Sequence, residues 1–223
     1  VFGLPFLFRD DAHRFSVLEG PVGSELLLEP QRFRLRGLAY YDAGARSFYT
    51  MRRPIRTPQD LSGLKIRVQE SPIAVRMVTV LGGSATPIAW GEVYTALQQG
   101  VVDGAENNPP SFHLSRHYEV ARYYTLDEHT AVPDVLFVAT EVWEDLTPQQ
   151  QGWLQEAANE SAERQKELWR KATEEALRAV QEAGVQIIRP DKQAFSTRAA
   201  PLLDRFRGDP EIGPLIQRIQ AVQ

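Results

Sequence analysis

Four side chains in the first half of the chain have the chemistry to hold an organic anion: Arg46, Arg67, Trp90 and Asn107. A planar guanidinium offers two parallel N–H donors that match the two oxygens of a carboxylate. Arg67 stands in Leu64-Lys65-Ile66-Arg67-Val68, and Arg46 closes Asp42-Ala43-Gly44-Ala45-Arg46, from which it could supply a second positive charge. Asn107 follows Asp103-Gly104-Ala105-Glu106, and its amide can both donate and accept. Trp90 follows Pro87-Ile88-Ala89, where an exposed indole would give a flat face to a sugar ring or carbon chain. Each has a plainer account alone: arginines are mostly exposed, tryptophans mostly fill cores, and asparagines mostly make turns.

Catalytic chemistry finds less support. His113 and His117 stand at i,i+4 on an expected helix, a spacing that can bind zinc, but the intervening Leu114-Ser115-Arg116 lacks the glutamate of H-E-x-x-H. Surface histidines are the simpler reading. The chain has no G-x-S-x-G elbow, no G-x-G-x-x-G and no P-loop. It also has no cysteine, which excludes disulfides, thiolate catalysis and cysteine zinc sites. Glu106, Glu119, Asp127 and Glu128 could form a carboxylate pair, yet linear spacing favours no pair. Nothing calls for a metal or cofactor.

The elements that must position the four residues follow from punctuation and periodicity. Thr57-Pro58-Gln59-Asp60 starts a short helical turn that Gly63 ends. Leu64, Ile66 and Val68 then alternate with Lys65 and Arg67, a strand with one core face and one polar face. Ser71-Pro72 opens a helix that stops at Gly82-Gly83; Ser84 to Ile88 is a strand; Trp90 opens a helix that Gly100 ends; Val101 to Asp103 is a further strand. Strands alternating with helices of about ten residues imply parallel βαβ units, and in open α/β sheets ligands sit outside the carboxyl ends of the strands. Arg67, Trp90 and Asn107 all fall there.

Elsewhere, short helices are expected over Asp11 to Leu18, Gly23 to Leu28 and Pro109 to Val120, and strands over Arg32 to Tyr41, Arg122 to Leu126 and Val132 to Ala139. The last strand is the most apolar and is expected to be central. Thr147-Pro148-Gln149-Gln150 is a capping box, and Gly184 closes the helix it starts. Leu154, Ala157, Ser161, Leu168, Ala172, Ala176, Val180 and Ala183 form its expected stripe. At 1.5 Å per residue that helix is ~55 Å long, too long for one small domain to cover. A strand at Val185 to Ile188 and helices at Asp191 to Phe206 and Ile212 to Val222 complete the chain.

The 223 residues are 43% apolar with a formal charge of −4, which fits one or two globular domains and argues against nucleic-acid binding. The longest apolar run, Val1 to Phe8, is far short of the ~20 residues a membrane-spanning helix needs, so no direct membrane insertion is expected. The chain begins at Val1, and a preceding segment such as a signal peptide is expected to have been removed or left out.

Together these stretches resemble the DctP-type solute-binding proteins of TRAP (tripartite ATP-independent periplasmic) transporters. The resemblance rests on GLKIRVQESPIAVRMVTVLGGSATPIAWGEVYTALQQGVVDGAENNPPSF and SRHYEVARYYTLDEH, and extends to LPFLFRDDAH, LEGPVGSELL and YYDAGARSFYTMRRPIRTPQDLSGLKIRV. It implies a two-domain, periplasmic-binding-protein-like (Venus flytrap) α/β fold with a long domain-spanning helix, lacking the usual N-terminal part of the first domain. Residues 1–42 and 133–172 would be the remainder of domain I, and 43–132 and 173–223 would be domain II. It further implies a periplasmic, non-enzymatic receptor that closes on a small organic acid and delivers it to a sodium-driven membrane permease. Arg67 matches the arginine that holds the carboxylate, Arg46 a supporting arginine and Asn107 the amide, while Trp90 replaces an aromatic residue that is often phenylalanine. Glu70 and Asp134 would stand near the cleft and accept bonds from ligand hydroxyls, and the wording of ENNPPS and SRHYEVARYYTLDEH favours sugar acids such as uronates or aldonates. The shortened first domain should leave apolar surface bare near Val1 to Phe8, inviting swapping or oligomerisation. The rival classes are a soluble α/β enzyme acting on a small carboxylate and a helical interaction module built on the long helix.

Overall fold

In the computed structural model, which describes residues 1–223, the alternation around Ile66 forms a strand flanked by the expected helices. In order the elements are α1 (Asp11–Glu19), α2 (Pro21–Leu28), β1 (Leu35–Tyr41), β2 (Arg46–Thr50), β3 (Lys65–Val68), α3 (Pro72–Leu81), β4 (Ser84–Pro87), α4 (Val93–Gln98), β5 (Gly104–Asn107) and α5 (Pro109–Leu114). They continue with β6 (Tyr123–Thr130), β7 (Asp134–Ala139), α6 (Thr140–Asp145), α7 (Pro148–Glu182), β8 (Gln186–Ile188), α8 (Lys192–Arg207) and α9 (Ile212–Ala221).

A six-stranded sheet runs β4-β3-β5-β2-β6-β8. β3 is parallel to β4 and β5, as the βαβ reading expects, but β2 enters between β5 and β6 antiparallel to both. The sheet is therefore mixed. One face packs Phe48, Ile66 and Val68 against Met77, Val78 and Leu81 of α3 and Phe195 and Ala199 of α8. The other packs Tyr49, Ala105 and Tyr124 against Val93 and Leu97 of α4, Phe112 of α5 and Val180 of α7. With both faces covered, the face of β3 expected to be polar is also interior, and Arg67 is only 2% exposed.

Two strand expectations and one helix expectation shift. The strand placed at Val101 to Asp103 begins three residues later, because Val102 drops into the core while Asp103 bonds Lys65 through backbone and side chain. Gly104 then passes so near Tyr49 that an added Cβ would lie 2.3 Å from its carbonyl oxygen. The strand over Val132 to Ala139 is not central: β7 pairs only with β1, in a separate two-stranded antiparallel sheet, and Phe137 is 41% exposed. Finally, the helix from Pro109 ends at Leu114, and Arg116 takes a left-handed backbone (φ 58°), so His113 and His117 do not share a helix.

Helix α7 has 35 residues and the expected capping box, in which Thr147 and Gln150 bond each other's backbone N–H. At 1.5 Å per residue it is ~52 Å long. Ala158 and Ala162 pack on Leu38 and Ala39 of the small sheet, while Val180 joins the core of the large one. Its buried line is Ala158, Ala162, Ala176 and Val180; Ala157, Ser161 and Leu168 of the expected stripe face outward. The segment Val1 to Phe8 is not bare either. Leu4 and Leu7 are buried with Val17, Val22, Leu203, Ile216 and Ile219, and the Phe6 N–H donates to the His129 carbonyl oxygen at 2.8 Å. Apolar side chains are open to solvent instead at Phe33, Leu35, Phe137, Val142 and Trp153.

Candidate functional site

The carboxyl ends of β3, β4 and β5 and the start of β2 meet at one end of the large sheet, and four of the six predicted site residues meet with them. Arg67 pairs with Ala105 across β3 and β5, and Ser47 pairs with Asn107 across β2 and β5, which sets Arg46 beside Asn107. Trp90 sits two residues beyond Ile88, whose carbonyl oxygen accepts from Arg67 Nε at 2.8 Å. The Arg67 guanidinium lies 5.6 Å from the centre of the Trp90 ring. Its Nη1 is buried and has no hydrogen-bond partner. Burial disfavours the charged form and pulls the pKa of this guanidinium down, with Glu106 opposing. An unpaired buried donor on a cation is costly to keep and marks a position that an anion would complete.

Arg46 is in the opposite condition. Its Nη2 donates to Glu106 Oε1 at 2.9 Å and to the Glu106 carbonyl oxygen at 3.0 Å, its Nε donates to Glu106 Oε2, and its Nη1 donates to Asn107 Oδ1 at 3.0 Å. Asn107 Oδ1 also accepts from the Asn108 N–H at 2.9 Å. With its oxygen occupied twice, the Asn107 side chain has its NH₂ left to offer. Tyr124 fixes the same residue from below, its hydroxyl donating to the Asn107 carbonyl oxygen at 2.8 Å.

Behind Arg46 lies a charge network that the spacing of the sequence did not reveal. Glu106 is 2% exposed, His129 and Asp127 are fully buried, and His129 Nδ1 is 2.8 Å from Asp127 Oδ2. The other ring nitrogen stands 3.5 Å from Glu106 Oε2, at ion-pair distance without the alignment of a hydrogen bond. Asp127 Oδ1 accepts from the Phe48 N–H at 3.1 Å. Burial alone would raise the Glu106 carboxyl, but Arg46 and His129 hold it below the usual carboxylate range. Burial would lower the His129 imidazolium, but Asp127 and Glu106 lift it to about 9. Arginine, glutamate, imidazolium and aspartate thus sum to zero charge inside the protein.

On the Trp90 side, His117 is also 2% exposed, which corrects the surface reading. Its Nδ1 is 2.8 Å from the Tyr49 hydroxyl, and its ring centre is 5.2 Å from that of Trp90. Burial and then Arg67 push it down to about 4, so this histidine is neutral. Trp90 itself is 44% exposed and presents indole surface outward. Glu70 and Asp134 are exposed and make no hydrogen bond or ion pair with the cluster. Cavities of about 500 and 670 Å³ lie against α7, and neither is lined by Arg67, Trp90 or Asn107.

The profile of the DctP family, described as bacterial extracellular solute-binding protein, family 7, matches residues 1–209. The chain belongs to this family. A TRAP periplasmic solute binding protein from Xanthobacter autotrophicus Py2, with bound β-D-galacturonate, superposes at a TM-score of 0.91 with 46% identity over 99% of this chain and 74% of that one. A second from Chromohalobacter salexigens, with bound D-glucuronate, superposes at 0.95 with 38% identity over 100% of this chain and 74% of that one. The 2,3-diketo-L-gulonate-binding periplasmic protein YiaO of Escherichia coli K12 is 32% identical over 100% of this chain and 69% of its own length. These DctP-family relatives are solute-binding proteins, and no helix of the present chain is long and apolar enough to cross a membrane.

Proposed function

We propose that this chain binds a small sugar acid, a uronate foremost, as the periplasmic receptor of a TRAP permease that takes up the acid on a sodium gradient. The observation that carries the reading is the buried, unpartnered Nη1 of Arg67 beside the outward face of Trp90. Arg67 is the carboxylate anchor, the Asn107 NH₂ adds a second donor, and Trp90 takes the sugar ring. Arg46 serves mainly indirectly, holding Asn107 and Glu106 in place, because four of its five N–H donors are already engaged. A carboxylate loses several kcal/mol of solvation on enclosure unless it is paired and hydrogen-bonded, and Arg67 with Asn107 meets both needs. The relatives with bound galacturonate and glucuronate support the choice of uronates.

Closure follows from the same reading. One body is built on the two-stranded sheet (residues 1–42 and 133–172) and the other on the six-stranded sheet (43–132 and 173–223), with α7 running along both. The core shared by α1, α2, α8 and α9 crosses that division. Ligand favours the closed state because contacts from the facing body form only there. Glu70 and Asp134 are free to reach ligand hydroxyls on closure.

Calorimetric titration and thermal shift with D-glucuronate, D-galacturonate and succinate test the reading. Saturable one-to-one binding of a uronate, lost in Arg67→Ala and without turnover of the acid, is the expected result. Chemical conversion of the acid would favour an enzyme acting on a carboxylate. Partner binding insensitive to Arg67→Ala, with no acid bound, would favour an interaction module.

A further inference from the structure

The residue that neither the anion-binding reading nor the zinc spacing accounts for is His117. Its surroundings are specific. Tyr49 is fully buried, and its hydroxyl has one hydrogen-bond partner, His117 Nδ1 at 2.8 Å. If Nδ1 carried the proton and donated, the Tyr49 O–H would be left without an acceptor in the interior, a penalty comparable to a lost hydrogen bond. The phenol therefore donates and Nδ1 accepts, which puts the imidazole proton on Nε2.

This fixed ring is one rung of a continuous aromatic stack. Tyr124, whose hydroxyl holds the Asn107 carbonyl, lies 4.7 Å from Phe112; Phe112 lies 4.6 Å from Tyr49; Tyr49 bonds His117; and His117 lies 5.2 Å from Trp90 at an interplanar angle of 57°. The stack joins the amide end of the site to its aromatic end through buried side chains. Trp90, 44% exposed at a strand-to-helix junction, packs on His117 as well as on Arg67.

We infer that His117, locked by Tyr49, is a positioning residue that sets the plane of Trp90 and thereby selects ring-form sugar acids over open-chain acids. The inference rests on the carboxylate reading of Arg67 and adds to it the source of substrate shape selection. A pyranose presents a flat face of C–H groups that stacks on an indole, whereas an open-chain polyol acid presents none. The carboxylate anchor is indifferent to that distinction. His117 touches no ligand atom in this scheme; it acts through Trp90.

The test measures D-glucuronate and D-gluconate binding by calorimetry in the wild type, His117→Phe, Tyr49→Phe and His117→Gln. His117→Phe keeps an aromatic ring but cannot accept from Tyr49. It should weaken D-glucuronate about five-fold while changing D-gluconate less than about two-fold. Tyr49→Phe should move the ratio in the same direction. His117→Gln, whose amide oxygen can accept from Tyr49, should recover part of the preference, and circular dichroism and melting identify any variant that has lost its fold.

A pH series adds a readout that simple loss of packing would not move. The titratable groups facing His117 are Arg67, Tyr49 and Tyr94, the last bonded to Glu119. Protonating His117 removes the acceptor for Tyr49, so the wild-type preference for D-glucuronate should decline as pH falls toward 4, and that decline should be absent in His117→Gln. Equal weakening of both acids, or an unchanged ratio in His117→Phe, overturns the inference and leaves the Arg67 anchor standing. A wild type that binds neither acid overturns both.

Discussion

Two arginines stand at the same end of one sheet, and their surroundings divide the site into regions of opposite electrostatic character. Arg46 is matched: Glu106 neutralises it, and His129 and Asp127 balance each other behind. Arg67 is unmatched, with a carbonyl oxygen on Nε, an indole beside it and a bare Nη1. The histidines follow the arginines. His129, facing two carboxylates that outweigh its burial, is raised to about 9 and stays charged; His117, lowered by burial and then by Arg67 to about 4, stays neutral. A buried ion network that closes on itself is scaffold, while one left a negative charge short is built for a visitor.

The largest expected effect comes from breaking the matched side. Glu106→Ala strands Arg46 and His129 in the interior, and removing one partner of a buried pair costs about 3–5 kcal/mol. Urea unfolding should show a midpoint lowered accordingly; a loss under about 1 kcal/mol would mean that water reaches the network. On the unmatched side the same kind of change should behave differently. Arg67→Met removes a buried charge with no ionic partner, so stability should hold or rise, while uronate affinity falls by about 2–5 kcal/mol. If Arg67→Met destabilised the protein as much as Glu106→Ala, the distinction between the two regions would fail.

The two histidines sharpen the contrast through pH. His129 has a folded-state pKa above its unfolded value of 6.5, so its stabilisation is complete below about pH 6.5 and is lost as pH rises through about 9. His117 has a folded-state pKa below 6.5, so its contribution is present above that pH and is lost as pH falls through about 4. Glu106, held below its usual value, adds to the acid limb below about 4.5. Melting temperature should therefore peak near pH 6.5. His129→Gln should remove the alkaline slope, His117→Gln should reduce the acid one, and a profile flat from pH 4 to 9 would contradict both assignments.

This division was only partly legible in the sequence. Arg67, Trp90 and Asn107 end strands or begin the loops that follow, and turn residues mark those positions, so their convergence could be read from local grammar. The balancing residues could not. Glu106 lies in Gly104-Ala105-Glu106-Asn107, a buried strand with too little apolar character to stand out, and its partners come from β2 and β6, brought alongside by antiparallel pairing. Non-local pairing also hid the place of β7, whose apolar sequence suits a central strand but whose neighbour in the fold is β1 alone. The spacing of His113 and His117 misled because Arg116 breaks the helix between them with a left-handed residue that no glycine announced.

The smallest expected effect tests whether the unmatched side is a charge alone or a charge with a platform. Trp90 is 44% exposed, so Trp90→Ala removes little buried surface and should change unfolding stability by no more than about 0.5 kcal/mol. It does remove the aromatic face beside Arg67 and the surface for a sugar ring, together worth about 0.5–1.5 kcal/mol of affinity. Calorimetry should then find D-glucuronate weakened about two- to twelve-fold, far less than in Arg67→Met. An effect as large as that of Arg67→Met would mean that the indole, by excluding water from the guanidinium, sets the strength of the ion pair itself. No effect at all would reduce the unmatched region to a lone cation and remove the reason for a buried aromatic stack behind it.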